Sequence, residues 1–219
     1  DNGEPEEPEQ PTPDFPTGDA ETVTIGEGGT FSSYYVPIYD YFNSFGVSQM
    51  IYTAEEIGVK DGTIINMSFK SDVVGNMERE IAVYLKNTDK EYYTAESDWI
   101  TLTAEDVAVF EGIIVTPSES GWFTISFTRP FEYTGGNLAV TINDITGGYE
   151  LGGDSWCSYA TENPRAMYST SYNTPIDHLA LESRFGSLDK NGNQYINSQI
   201  KFDIVPAQAS IEAPESIDF

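Results

Sequence analysis

The chain has 219 residues, enough for one large β-sandwich with tails and for a substantial core without disulfide bridges. Its 36 acidic and 10 basic residues give a net charge of −26. This charge argues against nucleic acid and anionic membrane as partners, because both need cationic protein surfaces. The sequence contains no apolar run of the roughly 18 residues that a transmembrane helix needs, and its single cysteine, Cys157, excludes an intrachain disulfide.

Residues 1–21 form a distinct acidic segment with eight acidic residues, five prolines and no basic residue. Such a composition cannot bury a core, so it predicts a disordered, extended linker. A linker of this kind suits a protein tethered to a membrane. We therefore expect a lipoprotein at the outer-membrane surface or an extracellular protein, with any lipid anchor outside this sequence. Residues 206–219 are expected to be a tail or the start of a following domain.

Between residues 22 and 205 the sequence alternates apolar and polar side chains in short runs separated by turn residues. Alternation with a period of two is typical of half-buried β-strands. The pattern predicts an all-β fold, an antiparallel β-sandwich, with strands over residues 22–25, 34–38, 48–53, 63–70, 79–87, 107–115, 155–160, 165–169 and 199–205. The pattern of residues 179–184 is ambiguous and does not predict a strand or a helix clearly. Trp99 and Trp122 are expected to lie in strands and to complete the core.

The stretch from Gly121 to Asp144 carries the clearest strand pattern. Two alternating runs are separated by Arg129-Pro130 and by the turn residues of 134–137, which stop a strand and reverse the chain. The stretch therefore predicts a pair of antiparallel strands at the centre of the domain.

Two short motifs predict local structure. Residues 54–58, AEEIG, predict one helical turn ended by glycine. Residues 189–193, DKNGN, resemble the start of an EF-hand loop, but Gln194 stands where that loop needs glycine and Ile200 where it needs glutamate. The Asn-Gly pair instead favours a β-hairpin.

Six stretches in a fixed order resemble a β-sandwich domain that recurs in surface and secreted proteins of Bacteroidota. They are TVTIGEGGTFSSYYVPIYDYF (22–42), SQMIYTAEEIG (48–58), GTIINMSFKSD (62–72), IAVYLKNTDKEYY (81–93), SDWITL (97–102) and GWFTISFTRPFEYTGGNLAVTIND (121–144). That domain is similar to the jelly-roll cleaved-adhesin modules of the gingipain proteases. The resemblance implies a jelly-roll-like, extracellular, non-catalytic domain that often carries calcium.

A glycine-rich stretch from residue 147 to residue 172 is the candidate ligand site. Sugar-binding sandwiches use exposed aromatic rings as platforms, beside amide and charged groups that bond hydroxyls. The residues of this type are Tyr149, Trp156, Tyr159, Asn163, Arg165, Tyr168 and Tyr172. The alternative is that these rings complete the core of the second sheet.

Three carboxylates in or beside the same loop, Asp144, Glu150 and Asp154, are candidate calcium ligands because hard oxygen donors suit this cation. The alternative is that they are simply solvated.

Catalysis has little support in the sequence. His178 is the only histidine, and Cys157 lies on a predicted strand, where cysteine is usually a small core residue. We therefore expect a non-enzymatic surface domain for adhesion or carbohydrate recognition, with a glycan or an extracellular host protein as partner. The alternative is a structural spacer within a larger surface protein.

Overall fold

A computed structural model describes residues 14–38, 45–73, 75, 77–147 and 155–207. Two antiparallel sheets of eight and six strands pack as a sandwich that does not close into a barrel, which confirms the predicted all-β sandwich. The strands are β1 Glu21–Ile25, β2 Phe31–Ser33, β3 Phe45–Tyr52, β4 Gly62–Val73, β5 Glu78–Thr88, β6 Phe110–Val115, β7 Gly121–Tyr133, β8 Asn137–Asp144, β9 Ser155–Thr161, β10 Ala166–Ser171, β11 Ser187–Leu188, β12 Lys190–Asn191, β13 Gln194–Ser198 and β14 Ile200–Pro206.

The eight-stranded sheet runs β1-β14-β4-β9-β13-β12, with β2 paired to β9 and β7 paired to β4. The six-stranded sheet runs β11-β10-β3-β8-β5-β6. Consecutive strands therefore often lie in opposite sheets. Side chains that face inward from both sheets form the main core, which includes Ile64, Met67, Phe69, Val83, Val140 and Phe202.

The central pair predicted for Gly121–Asp144 is wrong in its pairing. Both strands exist, but β7 pairs with β4 in the eight-stranded sheet, whereas β8 lies between β3 and β5 in the six-stranded sheet. The turn at residues 134–136 thus carries the chain from one sheet to the other. Pro130 does not end β7; it lies near an irregularity in the pairing with β4, where the register shifts and a missing N–H is tolerated.

The outer face of the six-stranded sheet is buried as well. Tyr93, Trp99, Ile100, Ile176 and Leu181 cover it and form a second apolar cluster with Val47, Ile51, Ala139 and Met167. The covering residues belong to the long connections 89–109 and 172–186. This cover explains why β8 is buried from Leu138 to Asp144 instead of alternating between buried and exposed positions.

Three local predictions are wrong in the described structure. Residues 34–38 are a bend and not an edge strand, because the Ser33 hydroxyl accepts the N–H groups of Tyr35 and Val36 and turns the chain. Trp99 is buried as expected but lies in the covering connection and not in a strand. Trp122 lies in a strand, β7, as predicted, but it is only partly buried, with the Lys201 ammonium 4.3 Å from its ring centroid.

Two other local predictions are confirmed. Helix α1, Ala54–Ile57, is a single turn that ends at Gly58 in the left-handed conformation, with φ of 69°. The Asn-Gly pair joins β12 to β13 in a hairpin, with Lys190 opposite Tyr195. Residues 179–184, whose pattern was unclear, belong largely to a 3₁₀ helix, His178–Ser183.

The described structure also shows how the chain enters and leaves the sandwich. Strand β1 pairs with β14, so the first and last strands are neighbours. A groove of about 510 Å³ lies between the segment before β1 and the ends of β4 and β14. It is lined by Pro16, Thr17, Gly18, Asp19, Thr63, Val205, Pro206 and Ala207. Nothing in the described structure tests the proposed boundaries at residues 21 and 205.

Candidate functional site

The sandwich does not gather the predicted sugar-platform residues into one surface. Tyr149 lies outside the described residues. Tyr159, Asn163 and Arg165 lie near the end of the sandwich where β9 leads into β10, whereas Tyr172 follows the opposite end of β10. Strand β10 separates Arg165 from Tyr172 by seven residues, which is about 23 Å at the rise of a β-strand. Trp156 and Tyr168 lie within β9 and β10, respectively.

Trp156 cannot act as a platform, and the prediction of an exposed ring is wrong for this residue. The side chain is only 1% exposed. It packs against Phe69 and Phe123, with ring centroids 6.4 Å away in both cases, and its indole N–H donates to the Ile38 carbonyl at 3.2 Å. The side chain faces the interior from β9 and joins the main core.

Tyr159 and Arg165 meet at a carboxylate that the sequence did not single out. The Tyr159 hydroxyl donates to Glu56 Oε1 at 2.9 Å, and Arg165 Nη1 lies 2.8 Å from the same oxygen. Burial, and then the nearby Glu56 charge, raise the pKa of Tyr159. Asn163 lies in the same connection and accepts the Thr161 hydroxyl through its backbone carbonyl. Glu56 thus joins Tyr159 to Arg165 Nη1, whereas Arg165 Nε is buried without a hydrogen-bond partner among the described residues. The shared carboxylate connects α1 to the β9–β10 connection.

The candidate calcium ligands are only partly within the described structure, since Glu150 and Asp154 lie outside it. Asp144 is 3% exposed. One of its oxygens accepts the Thr146 N–H at 3.0 Å, and the other lies 3.6 Å from Arg79 Nη1. Burial raises the pKa of Asp144, although Thr146 and Arg79 oppose this effect. The described residues contain no cluster of three or more His, Cys, Asp or Glu placed to hold a metal. Calcium at Asp144 stays a prediction.

Tyr168 belongs to a different arrangement at the edge of the sandwich. Its ring stacks on that of Tyr35 with centroids 4.3 Å apart and planes only 2° from parallel. Both rings are half-buried against the core, and the neighbouring Tyr34 is 49% exposed. We call Tyr34, Tyr35 and Tyr168 the tyrosine site. Burial is the main reason why the pKa of Tyr168 is raised to about 12, and electrostatic interactions with Tyr35 and Asp189 add to it. The phenol is therefore neutral near pH 7.

Polar groups surround the tyrosine site. The Ser33 hydroxyl accepts the backbone N–H of Tyr35, and the Ser187 side chain lies close enough to the phenol of Tyr168 to lower its pKa. Asp189 lies close enough to influence the titration of Tyr168. Aromatic faces beside hydroxyl and carboxyl groups can pack on the apolar face of a small molecule and bond its hydroxyls.

Sequence reasoning found Tyr168 but missed Tyr34 and Tyr35. The signal was present in the aromatic run YYVPIYDYF at residues 34–42, which was interpreted partly as a strand. Residues 39–42 of this run lie outside the described structure. Tyr172 is 68% exposed, as expected for a platform residue, but it is at the end of β10 and not within the tyrosine site.

The residues that a nucleophilic mechanism would need are not brought together. His178 stacks on Tyr84 of β5, with ring centroids 4.5 Å apart, on the outer side of the six-stranded sheet. Cys157 is on β9 in the other sheet, where burial raises the pKa of its thiol. The sandwich therefore separates the only histidine from the only cysteine.

Comparison with family models, with curated proteins and with solved structures finds no match for this chain. The resemblance to a Bacteroidota surface domain therefore stays a prediction. Among the residues described, none of the helices is long and apolar enough to cross a membrane.

Proposed function

We propose that this chain is a non-catalytic surface domain that binds carbohydrate through the tyrosine site. The observation that carries the proposal is the parallel stack of Tyr35 and Tyr168, next to which the chain continues into the half-exposed Tyr34. Sugar rings present C–H faces that pack on aromatic rings, and their hydroxyls need hydrogen-bonding partners at the rim. Ser32 and Asp72, bonded to each other at 2.9 Å, offer hydroxyl and carboxyl groups on the exposed side of β2, the strand that leads into Tyr34.

Adhesion to a glycan or to an extracellular host protein, and a location at the cell surface through a lipid anchor outside this sequence, belong to the same proposal. Their support is the sequence resemblance and the acidic surface, with a net charge of −26. A surface with this charge is soluble and disfavours polyanionic partners.

A structural spacer is the second candidate. The observation that favours it is the cover over the outer face of the six-stranded sheet, where the connections 89–109 and 172–186 bury residues that a ligand would otherwise contact. A spacer needs no ligand, so it predicts no binding at the tyrosine site.

A glycan array probed with the wild-type domain and with Tyr34→Ala tests the carbohydrate proposal. Loss of one exposed stacking ring should weaken the affinity for the bound glycan about tenfold, corresponding to about 1.4 kcal/mol. Tyr34 is half exposed, so the substitution should leave the fold intact. Tyr92→Ala is the matched control, because Tyr92 is 39% exposed on the connection after β5.

The control variant should bind like the wild type. Absence of binding to every glycan on the array would favour the spacer. Loss of binding in Tyr172→Ala but not in Tyr34→Ala would place the site at the end of β10 and contradict the tyrosine site.

A further inference from the structure

A short segment, residues 187–191, joins the two sheets at the edge beside the tyrosine site. Its β11 part pairs with β10 in the six-stranded sheet, and its β12 part pairs with β13 in the eight-stranded sheet. Asp189 is the residue between them. Its N–H donates to the Ala166 carbonyl at 2.8 Å, and its carbonyl accepts the Ile196 N–H at 3.3 Å. Release of this segment would therefore break backbone bonds to both sheets.

The Asp189 side chain points inward and is 2% exposed. The Ser33 side chain and the Lys190 backbone N–H interact with its carboxyl group and lower the pKa of Asp189, but they do not offset the effect of burial. Its Oδ2 atom is buried and has no hydrogen-bond partner among the described residues. A buried carboxylate with an unpartnered oxygen is costly, and binding a proton removes the charge. Burial accordingly raises the pKa of Asp189 to about 7.

The groups around Asp189 do not compensate a negative charge. Tyr35 and Tyr168 are the titratable side chains that pack nearby from the bend after β2 and from β10. The Lys190 ammonium lies over the ring of Tyr195, 4.5 Å from its centroid. Among the described residues, no lysine or arginine forms an ion pair with Asp189.

Ser33 connects Asp189 to the tyrosine site. Its side chain interacts with the Asp189 carboxyl closely enough to lower the pKa of that group, and its hydroxyl accepts the N–H of Tyr35 at 3.1 Å. On the other side, Tyr168 is opposite Ser187 in the β10–β11 pair. Both stacked rings are thus held by residues in contact with segment 187–191.

We propose that Asp189 is a proton-controlled latch: when protonated it holds segment 187–191 closed across both sheets, and when ionised it favours release of the segment and loosens the tyrosine site. The effect on ligand binding rests on the proposed function, whereas the latch itself does not.

The direction of the pH dependence follows from the raised pKa. The closed state keeps its proton up to about pH 7, whereas in an open segment the pKa of Asp189 returns to the ordinary aspartate value of 3.8. Between these values the closed state binds more protons, so opening becomes about tenfold more favourable for each pH unit. Closure is therefore strongest below about pH 4, weakens up to about pH 7 and changes no further above that.

Hydrogen exchange of the Asp189 and Ile196 amides, measured by NMR and corrected for intrinsic rates, tests the latch. In the wild type, the protection factors should fall about 100-fold between pH 5 and pH 7 and then level off. In Asp189→Asn they should not change with pH over this range. The Val109 amide, which donates to the Val83 carbonyl at the far edge of the six-stranded sheet, is the internal control and should keep constant protection.

If protection falls with pH equally in the wild type and in Asp189→Asn, the opening does not depend on Asp189 and the latch is overturned. If protection of the Val109 amide falls with the same slope, the opening is global and the latch is likewise overturned. If Asp189→Asn does not fold, the ¹³C titration of the Asp189 carboxyl in the wild type decides. A midpoint near pH 7 supports the latch, and one near pH 4 overturns it.

Binding of the strongest array glycan at pH 5 and pH 8 tests the connection to the tyrosine site. Binding should be tighter at pH 5, and equal affinity would overturn this connection. Absence of any glycan binding would overturn the proposed function, whereas the exchange result decides the latch without a ligand.

Discussion

Gln49 shows how a single buried amide can determine where a long connection lies. Its Nε2 donates to the Ile100 carbonyl at 3.0 Å and to the Thr141 hydroxyl at 2.9 Å. Its Oε1 accepts the Ile100 N–H at 2.7 Å and the Tyr93 hydroxyl at 3.2 Å. All four hydrogen-bonding positions of the amide are filled, and the residue is 0% exposed. The connection 89–109 is therefore fixed on the sheet by specific bonds as well as by apolar contact.

We expect Gln49→Leu to be strongly destabilising. The volume is nearly conserved, but four buried polar partners lose their hydrogen bonds, so the free energy of unfolding should fall by about 3 to 5 kcal/mol. Urea unfolding followed by tryptophan fluorescence measures this value.

Gln194→Leu is the control for Gln49→Leu, because Gln194 is only partly buried and donates to the Thr161 and Tyr195 carbonyls. It should cost about 1 kcal/mol or less. Similar losses in the two variants would contradict the special role of Gln49.

At the scale of elements, the four-residue helix α1 depends on its caps. Thr53 and Glu56 form a capping box, in which each side chain bonds the backbone N–H of the other residue. Glu56 also accepts the Tyr159 hydroxyl and pairs with Arg165. A single turn has little intrinsic stability, so these bonds hold α1 against the sandwich.

Two substitutions in α1 should differ in cost. Thr53→Ala removes the cap and should cost about 1 kcal/mol. Glu56→Ala should cost more, about 2 to 3 kcal/mol, because it leaves Tyr159 and Arg165 without their shared acceptor. Thermal unfolding measures both effects.

Glu55→Ala is the matched control for these variants, since Glu55 is an exposed carboxylate in the same turn. It should change the free energy of unfolding by less than about 0.5 kcal/mol. A loss in Glu56→Ala no larger than that in Glu55→Ala would show that the cluster contributes no stability.

The elements themselves were largely predictable, because alternation, turn residues and the capping pattern are local signals. The pairing was not. The runs in β7 and β8 look like two arms of a hairpin, yet each pairs with strands distant in sequence, and only the packing of two sheets decides this. Burial of the outer face of β8 was not predictable for the same reason, because the residues that cover this face come from the connections 89–109 and 172–186.

At the scale of the whole molecule, the candidate site was only partly predictable. Tyr168 was identified from its aromatic character, but its partner Tyr35 is 133 positions earlier in the sequence, and only the fold brings the two rings together. Trp156 was placed in the wrong environment because its aromatic character does not reveal which face of the sheet it occupies. Asp189 was recognised only as part of a turn motif, whereas the crossing between the sheets buries its side chain.

The tyrosine site is the central claim, and amide chemical-shift mapping tests it most directly. The strongest array glycan is titrated into ¹⁵N-labelled protein at pH 5. We expect the largest shifts at residues 33–36, 168 and 187–190, with little change at Tyr92 and around Arg165. Shifts concentrated instead at residue 172, or spread evenly over the surface, would contradict a carbohydrate site formed by Tyr34, Tyr35 and Tyr168.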